Sequence, residues 1–153
     1  MADPIEVFFS YSHKDKSLRD KLATHLKILE RQGVISGWHD RQITAGSEWA
    51  GEIDEHLNSA QVILLLISAD FVASDYCYDI EMKRAMERHD SGEARVIPVI
   101  LRPCSWEDAP FGKLQGLPTN ACPVTDWANR DKAFKDIAEG IKAAVKAMTA
   151  NPR

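Results

Sequence analysis

Sulfur is scarce in this chain and placed without pattern. The three cysteines, Cys77, Cys104 and Cys122, contain no CxxC pair and leave one over in any pairing. Neither a disulfide framework nor a thiolate zinc site is indicated, and reduced thiols are the simpler reading. Long apolar runs are missing too. The longest, Val62 to Ile67 and Val96 to Leu101, hold six residues each, against the roughly 20 that a membrane-spanning helix needs. Met1 to Ser10 carries acids where a secretory signal has a basic start. A cytoplasmic protein with no membrane association is therefore expected. There is no excess of positive charge: 19 basic residues stand against 23 acidic ones, for a net charge of −4. The one basic run, Lys14, Lys16, Arg19 and Lys21, is interrupted by Asp15 and Asp20, so it reads as a solvated helix face and nucleic acid is not an expected partner. His13, His25, His39, His56 and His89 have no ligand spacing, and no metal is expected. Cofactor motifs are also lacking. No GxGxxG or GxxxxGK[ST] follows a strand, and no GxSxG elbow is present, which leaves dinucleotide redox chemistry, Walker-type phosphate binding and serine hydrolysis without support.

What is present describes an ordinary globular domain. The chain has 153 residues, 44% hydrophobic and 27% charged, and reads as a single domain, 1–153, with a core from about 5 to 147. Ile5 to Phe9 is β-branched and aromatic and predicts a buried strand. Leu18, Leu22, Leu26 and Leu29 give the stripe of an amphipathic helix from about Lys16 to Arg31, stopped at Gly33. Val34 to Trp38 predicts a second strand, and His39 to Gly46 a polar loop. Ser47 is a candidate cap for a helix turning Trp49, Ile53, Leu57 and Ala60 inward. Val62 to Ile67, apolar on both faces, predicts a central parallel strand. A loop, Ser68 to Ala73, leads to a second cap, Ser74, and a helix from Asp75 to about His89. Val96 to Leu101 predicts a fourth strand despite Pro98, and Cys122 to Thr125 a short fifth. Phe134, Ile137, Ile141, Val145 and Met148 mark a last helix.

Alternating strands and helices of these lengths predict an α/β fold, a flavodoxin-like five-stranded parallel sheet of order 2-1-3-4-5 with helices on both faces. In such sheets ligands bind beyond the carboxyl ends of the strands at the topological switch point, here between strands one and three. Ser10, Tyr11 and Ser12 leave strand one there, and Ser68, Ala69 and Asp70 leave strand three. The loop from Trp38 to Gly46 reaches the same edge. So does the start of the following helix, with Ser74, Tyr76, Cys77, Asp79 and Glu81. A phosphoacceptor receiver domain shares the topology, and Asp70 would be its acceptor. Strand one, however, exits into Ser-Tyr-Ser, with no acid pair to hold magnesium.

Three ordered segments carry a resemblance. Val7-Phe8-Phe9-Ser10-Tyr11-Ser12-His13-Lys14-Asp15 resembles the first box of bacterial Toll/interleukin-1 receptor (TIR) domains. Trp38-His39-Asp40-Arg41-Gln42-Ile43, through Gly46 and Trp49, resembles their second strand and BB loop. Ser68-x-x-Phe71-x-x-Ser74-x-Tyr76-Cys77, followed by Glu81, resembles their pattern of Ser, aromatic, Ser, aromatic, Cys and an essential Glu. The similarity runs from about Ile5 to Val145. One departure stands out. In many relatives the Glu follows the Cys by three residues; here Ile80 holds that place and Glu81 lies one further on. Ile80 cannot serve as an acid, so Glu81 is the expected residue and Asp79 its alternative.

The resemblance implies one of two activities. Many bacterial and plant TIR domains cleave NAD between nicotinamide and ribose; others only assemble, as adaptors. Cleavage suits these residues. Nicotinamide leaves NAD from a cationic state and needs no general acid, so one carboxylate can orient the ribose hydroxyls and stabilise the oxocarbenium-like charge. On this reading Glu81 is catalytic, and Ser10, Tyr11, Trp38, Asp40, Ser74, Tyr76 and Cys77 contact NAD. NAD is substrate and no separate cofactor is implied. The resemblance further implies head-to-tail association with other TIR domains through the BB loop, about 39–47, which completes the site. It places the chain in bacterial defence or virulence, as the N-terminal effector module of a longer protein. The residues also have structural uses: Ser74 as a cap, Cys77 and Trp38 as packing, Glu81 as a solvated helix acid.

Overall fold

Strands that are apolar on both faces need cover on both sides, and that requirement organises the molecule. The computed structural model describes residues 4–39 and 55–150. Strands β1 (Ile5–Ser10), β2 (Ile35–His39), β3 (Val62–Ile67) and β4 (Arg95–Ile100) form one parallel sheet in the order β2-β1-β3-β4. The helices are α1 (Lys16–Arg31), α2 (Glu55–Ser59), α3 (Ala69–Ala73), α4 (Lys83–Asp90) and α5 (Arg130–Ala150). A π-helical segment, Asp75–Met82, runs directly into α4.

Side chains alternate between two cores, as strand geometry requires. Val7 and Phe9 of β1, Leu64 and Leu66 of β3, and Ile97 and Val99 of β4 face one layer. There they meet the predicted stripes of α1 (Leu18, Leu22, Leu26, Leu29) and α5 (Phe134, Ile137, Ile141, Val145). Phe8, Ile63, Leu65, Ile67 and Ile100 face the other, with Leu57, Phe71, Met82, Ala85 and Met86. The α1 stripe stops where expected. Gly33 has φ +74°, a left-handed turn that a side chain resists, and Val34 N–H closes onto the Leu29 carbonyl at 2.9 Å.

Three sequence expectations meet differences, and a fourth falls partly outside the described residues. The fifth strand, Cys122 to Thr125, does not form: Val124–Asp126 is a turn of 3-10 helix that follows Pro123. The place beside β4 is taken by Leu117, through one parallel bridge to Val99. Leu117 N–H donates to the Pro98 carbonyl at 2.9 Å, and Ile100 N–H donates to the Leu117 carbonyl at 2.8 Å. Because the Pro98 carbonyl points outward, so does its missing N–H, and the β3 ladder loses nothing to the proline. Second, the predicted loop from Ser68 to Ala73 holds α3, capped by Ser68, whose Oγ accepts from Phe71 N–H at 3.1 Å. Third, the helix predicted from Asp75 to His89 exists, but its first half is π. Fourth, the helix predicted from Ser47 is described only from Glu55; its residues Trp49 and Ile53 lie outside the described residues.

One cation holds the route into β3. Arg88, on α4, is buried, and its Nη1 donates to the carbonyls of Leu57 and Ala60 at 2.7 and 2.6 Å. These carbonyls end α2, where helices leave acceptors unmet and favour positive charge. Nη2 reaches the Glu93 carbonyl at 3.3 Å, tying the same side chain to the approach to β4. Arg88→Ala strips these buried acceptors of their donors together. It is expected to cost about 2–4 kcal/mol, read as a lowered midpoint in chemical denaturation with an unchanged slope.

Candidate functional site

The strand order reverses direction between β1 and β3, which makes their carboxyl ends the natural crevice. Ser10 closes β1 there, fully buried. Its Oγ donates to Glu81 Oε1 at 2.9 Å, and Glu81 has no exposed surface. One step on, the Cys77 thiol donates to the Tyr11 carbonyl at 3.3 Å. Ser74 anchors the start of the π segment, its Oγ accepting from Cys77 N–H at 3.1 Å. The exit of β1 is thus pinned to the π segment at two side chains, Cys77 and Glu81. Asp79 lies between them in sequence and faces solvent.

The π geometry sets the direction in which Glu81, four residues after Cys77, projects. Its backbone bonds skip one residue more than an α-helix, so a turn holds about 4.4 residues rather than 3.6. On an α-helix the fourth residue after Cys77 would overshoot its direction by about 40°, and the third would fall short by about 60°. On the wider turn the fourth falls short by only about 30°. The acid is thereby brought back toward the side on which the third residue of an α-helix would sit.

The predicted aromatic residues are placed as follows. Tyr11 is nearly buried, and Trp38 is half-buried at the end of β2. The Arg19 guanidinium lies 4.9 Å from the Tyr11 ring centroid and 4.8 Å from that of Trp38. Trp38 also meets Phe9 at 5.0 Å. Their faces are joined through a cation that α1 supplies. Tyr76 lies in the π segment between Ser74 and Cys77. Asp40, and the BB-loop residues beyond His39, lie outside the described residues.

Beside this crevice stands a charge network that the sequence reading did not single out. Asp15, buried, accepts from the Ser68 hydroxyl on one oxygen and from Arg102 Nε at 2.8 Å on the other. Arg102 Nη2 also donates to Asp70, and Lys14 Nζ lies 3.9 Å from Asp70. The hydrogen bond from Arg102, then its charge, holds the Asp70 carboxyl below the ordinary range; the same bonds to Asp70 and Asp15 raise Arg102 further. The available signal was position: Asp15 ends the first box and Arg102 lies two residues past β4, both at the sheet's carboxyl edge. Cys104 nearby is half-buried, and burial followed by the Glu107 charge pushes its thiol up, so it is a poor nucleophile. A cavity of about 670 Å³ lies elsewhere, between the start of β4 and the end of α5 near Arg95 and Met148, and includes none of these side chains. Among the described residues no three His, Cys, Asp or Glu side chains stand together as a metal site.

The family model described as TIR domain matches residues 7–143. The uncharacterized protein y4lF of Sinorhizobium fredii is 57% identical over 143 residues, which is 94% of this chain and 44% of that protein. The chain thus spans less than half the length of this relative. Among solved structures, the TIR domain of the Toll-related receptor TRR-2 from Hydra magnipapillata superposes with a TM-score of 0.59 at 20% identity, covering 89% of this chain and 97% of that one. This last similarity bears on the fold.

Deleting Ile80, which is half-buried, removes the residue that the wide turn accommodates. The deletion variant is expected to unfold cooperatively within a few degrees of the parent, with Asp75–Met82 converted to α-helix. An added alanine after Cys77 should instead displace the acid from Ser10 and lower the melting temperature markedly. A crystal structure or backbone chemical shifts of the deletion variant check the conversion.

Proposed function

The chain belongs to the TIR domain family, and from that premise we propose that it is an NAD glycohydrolase. It breaks the bond between nicotinamide and ribose, releasing nicotinamide and ADP-ribose or its cyclic form. One observation carries this reading: a carboxylate, Glu81, is held in a buried hydrogen bond to Ser10 at the switch point of the sheet. A fold needs no acid there. A substrate that develops positive charge at its anomeric carbon does.

In this mechanism Glu81 orients the ribose hydroxyls and faces the oxocarbenium-like centre as nicotinamide departs. Ser10 holds the carboxylate in one rotamer, so little reorganisation is needed as charge develops. On this reading Tyr11, Trp38, Asp40, Ser74, Tyr76 and Cys77 contact the substrate. Water, or the substrate's own adenine, then attacks the anomeric carbon. Glu81 has no exposed surface in the single chain, so its cover must move before NAD reaches it. That fits a site which opens or is completed only on head-to-tail association through the BB loop, with the activity serving bacterial defence or virulence. The reading places this activity in the cytoplasm; among the described residues no helix is long and apolar enough to cross a membrane.

The same burial also favours a second reading, an adaptor that assembles with other TIR domains and turns over nothing. Incubating the purified chain with NAD, free and crowded on beads, separates the two. Resolving nicotinamide, ADP-ribose and cyclic product by chromatography, the enzyme reading expects cleavage that rises with crowding. Glu81→Ala should lower it by about 100-fold or more, while Asp79→Ala keeps most of it. Folded, self-associating protein without cleavage in either format would establish the adaptor.

A further inference from the structure

The two carboxylates around Arg102 differ in standing. Asp15 is sealed, with Ser68 on one oxygen and Arg102 on the other. Asp70 is 32% exposed and, among the described residues, is paired with Arg102 and Lys14. Arg102 is itself 36% exposed and Lys14 77%. Two cations from two different strand exits, Lys14 after β1 and Arg102 after β4, therefore converge on one solvent-facing carboxylate. Arg102 is oriented from behind by its bond to buried Asp15, so its fork is preorganised for an oxyanion. Such a seat suits phosphate, which Arg grips through paired N–H donors and Lys attracts as a point charge.

The position of the seat narrows the ligand. Ser10 pairs in register with Leu65 of β3, and Ser68, which carries the network, lies three residues beyond Leu65. The network is thus about 10 Å farther along the strand direction than the level of the Ser10–Glu81 bond. That is comparable to the length of a ribose 5-phosphate.

We propose that Arg102 and Lys14 form the seat for the diphosphate linkage of a dinucleotide whose ribose lies at Glu81, and that Asp70 is an internal placeholder displaced when the dinucleotide binds. The proposal rests on the NAD reading and adds to it the residues that hold the phosphates. Displacement makes an unusual demand on mutagenesis: removing the placeholder's charge strengthens binding, although it also removes an ion pair from the folded protein.

The test measures affinity for inorganic pyrophosphate and ADP-ribose by calorimetry, and kcat and KM for NAD on the bead-crowded protein. Asp70→Asn is expected to tighten pyrophosphate and ADP-ribose about threefold or more and to lower KM with kcat nearly unchanged. Arg102→Gln is expected to weaken both ligands about tenfold or more, with partial recovery in Arg102→Lys. Asp70→Asn binding no tighter than the parent, or folded Arg102→Gln binding equally well, overturns the proposal. Should Arg102→Gln fail to fold, Asp70→Asn decides alone, since a weakened fold does not produce a gain in affinity. If NAD is not cleaved but the pyrophosphate affinities shift as stated, the reaction is wrong and the seat is right. If NAD is cleaved and KM is unmoved in Asp70→Asn, the reverse holds.

Discussion

Removing a carboxylate from water is among the costliest acts in folding unless its oxygens find donors. At Glu81 one such donor is the Ser10 hydroxyl, at the last residue of the first strand. Much of the local architecture follows from this bond. The strand must end at Ser10, level with the helix that carries the acid. That helix must bring Glu81 and Cys77 to one side, which it achieves with a wider turn. Ser74 must cap the segment close to the sheet. A relaxation to α-helical spacing would rotate the carboxylate away from its hydroxyl, so the π turn and the buried acid hold each other in place.

A second constraint works about 10 Å farther along the strands by different means. Three strand exits, after β1, β3 and β4, are joined through Asp15, Ser68 and Arg102. Loops at a sheet's edge are ordinarily its most mobile parts. Here a buried charge with both oxygens engaged fixes them relative to one another. The part of the candidate site built by the described residues accordingly rests on strand ends and a bonded network, as a site that positions its ligand closely needs to.

Most of the framework was legible in the residues. The alternating apolar strands, the leucine stripe of α1, the stripe of α5 and the Gly33 stop all carry periodic or conformational signals. The fifth strand did not, because Cys122 to Thr125 is short and contains Pro123, and the strand-like bonds to Pro98 and Ile100 went to Leu117 instead. No hydrophobic pattern distinguishes those options. The π turn was invisible for a related reason: α and π turns bury almost the same residues, and only the backbone bonding separates them. In the candidate site, Ser10, Cys77 and Glu81 were legible through their motif and come together in space. The Asp15–Arg102 pairing spans 87 residues of sequence, and long-range ion pairs leave no periodic trace.

Pro98 has an effect that reaches beyond its own strand. Parallel sheets end in rows of unpaired backbone groups that can recruit another strand indiscriminately. On the outer side of β4, Val96 N–H is already taken by His89 Nδ1 at 3.0 Å, Pro98 has no N–H to offer, and Ile100 N–H is bound to Leu117. A stray strand arriving at this edge finds its donors silenced one after another. When many copies are packed close together, the sheet stays out of the conversation, and amyloid-like stacking along β4 has no donor row to build on.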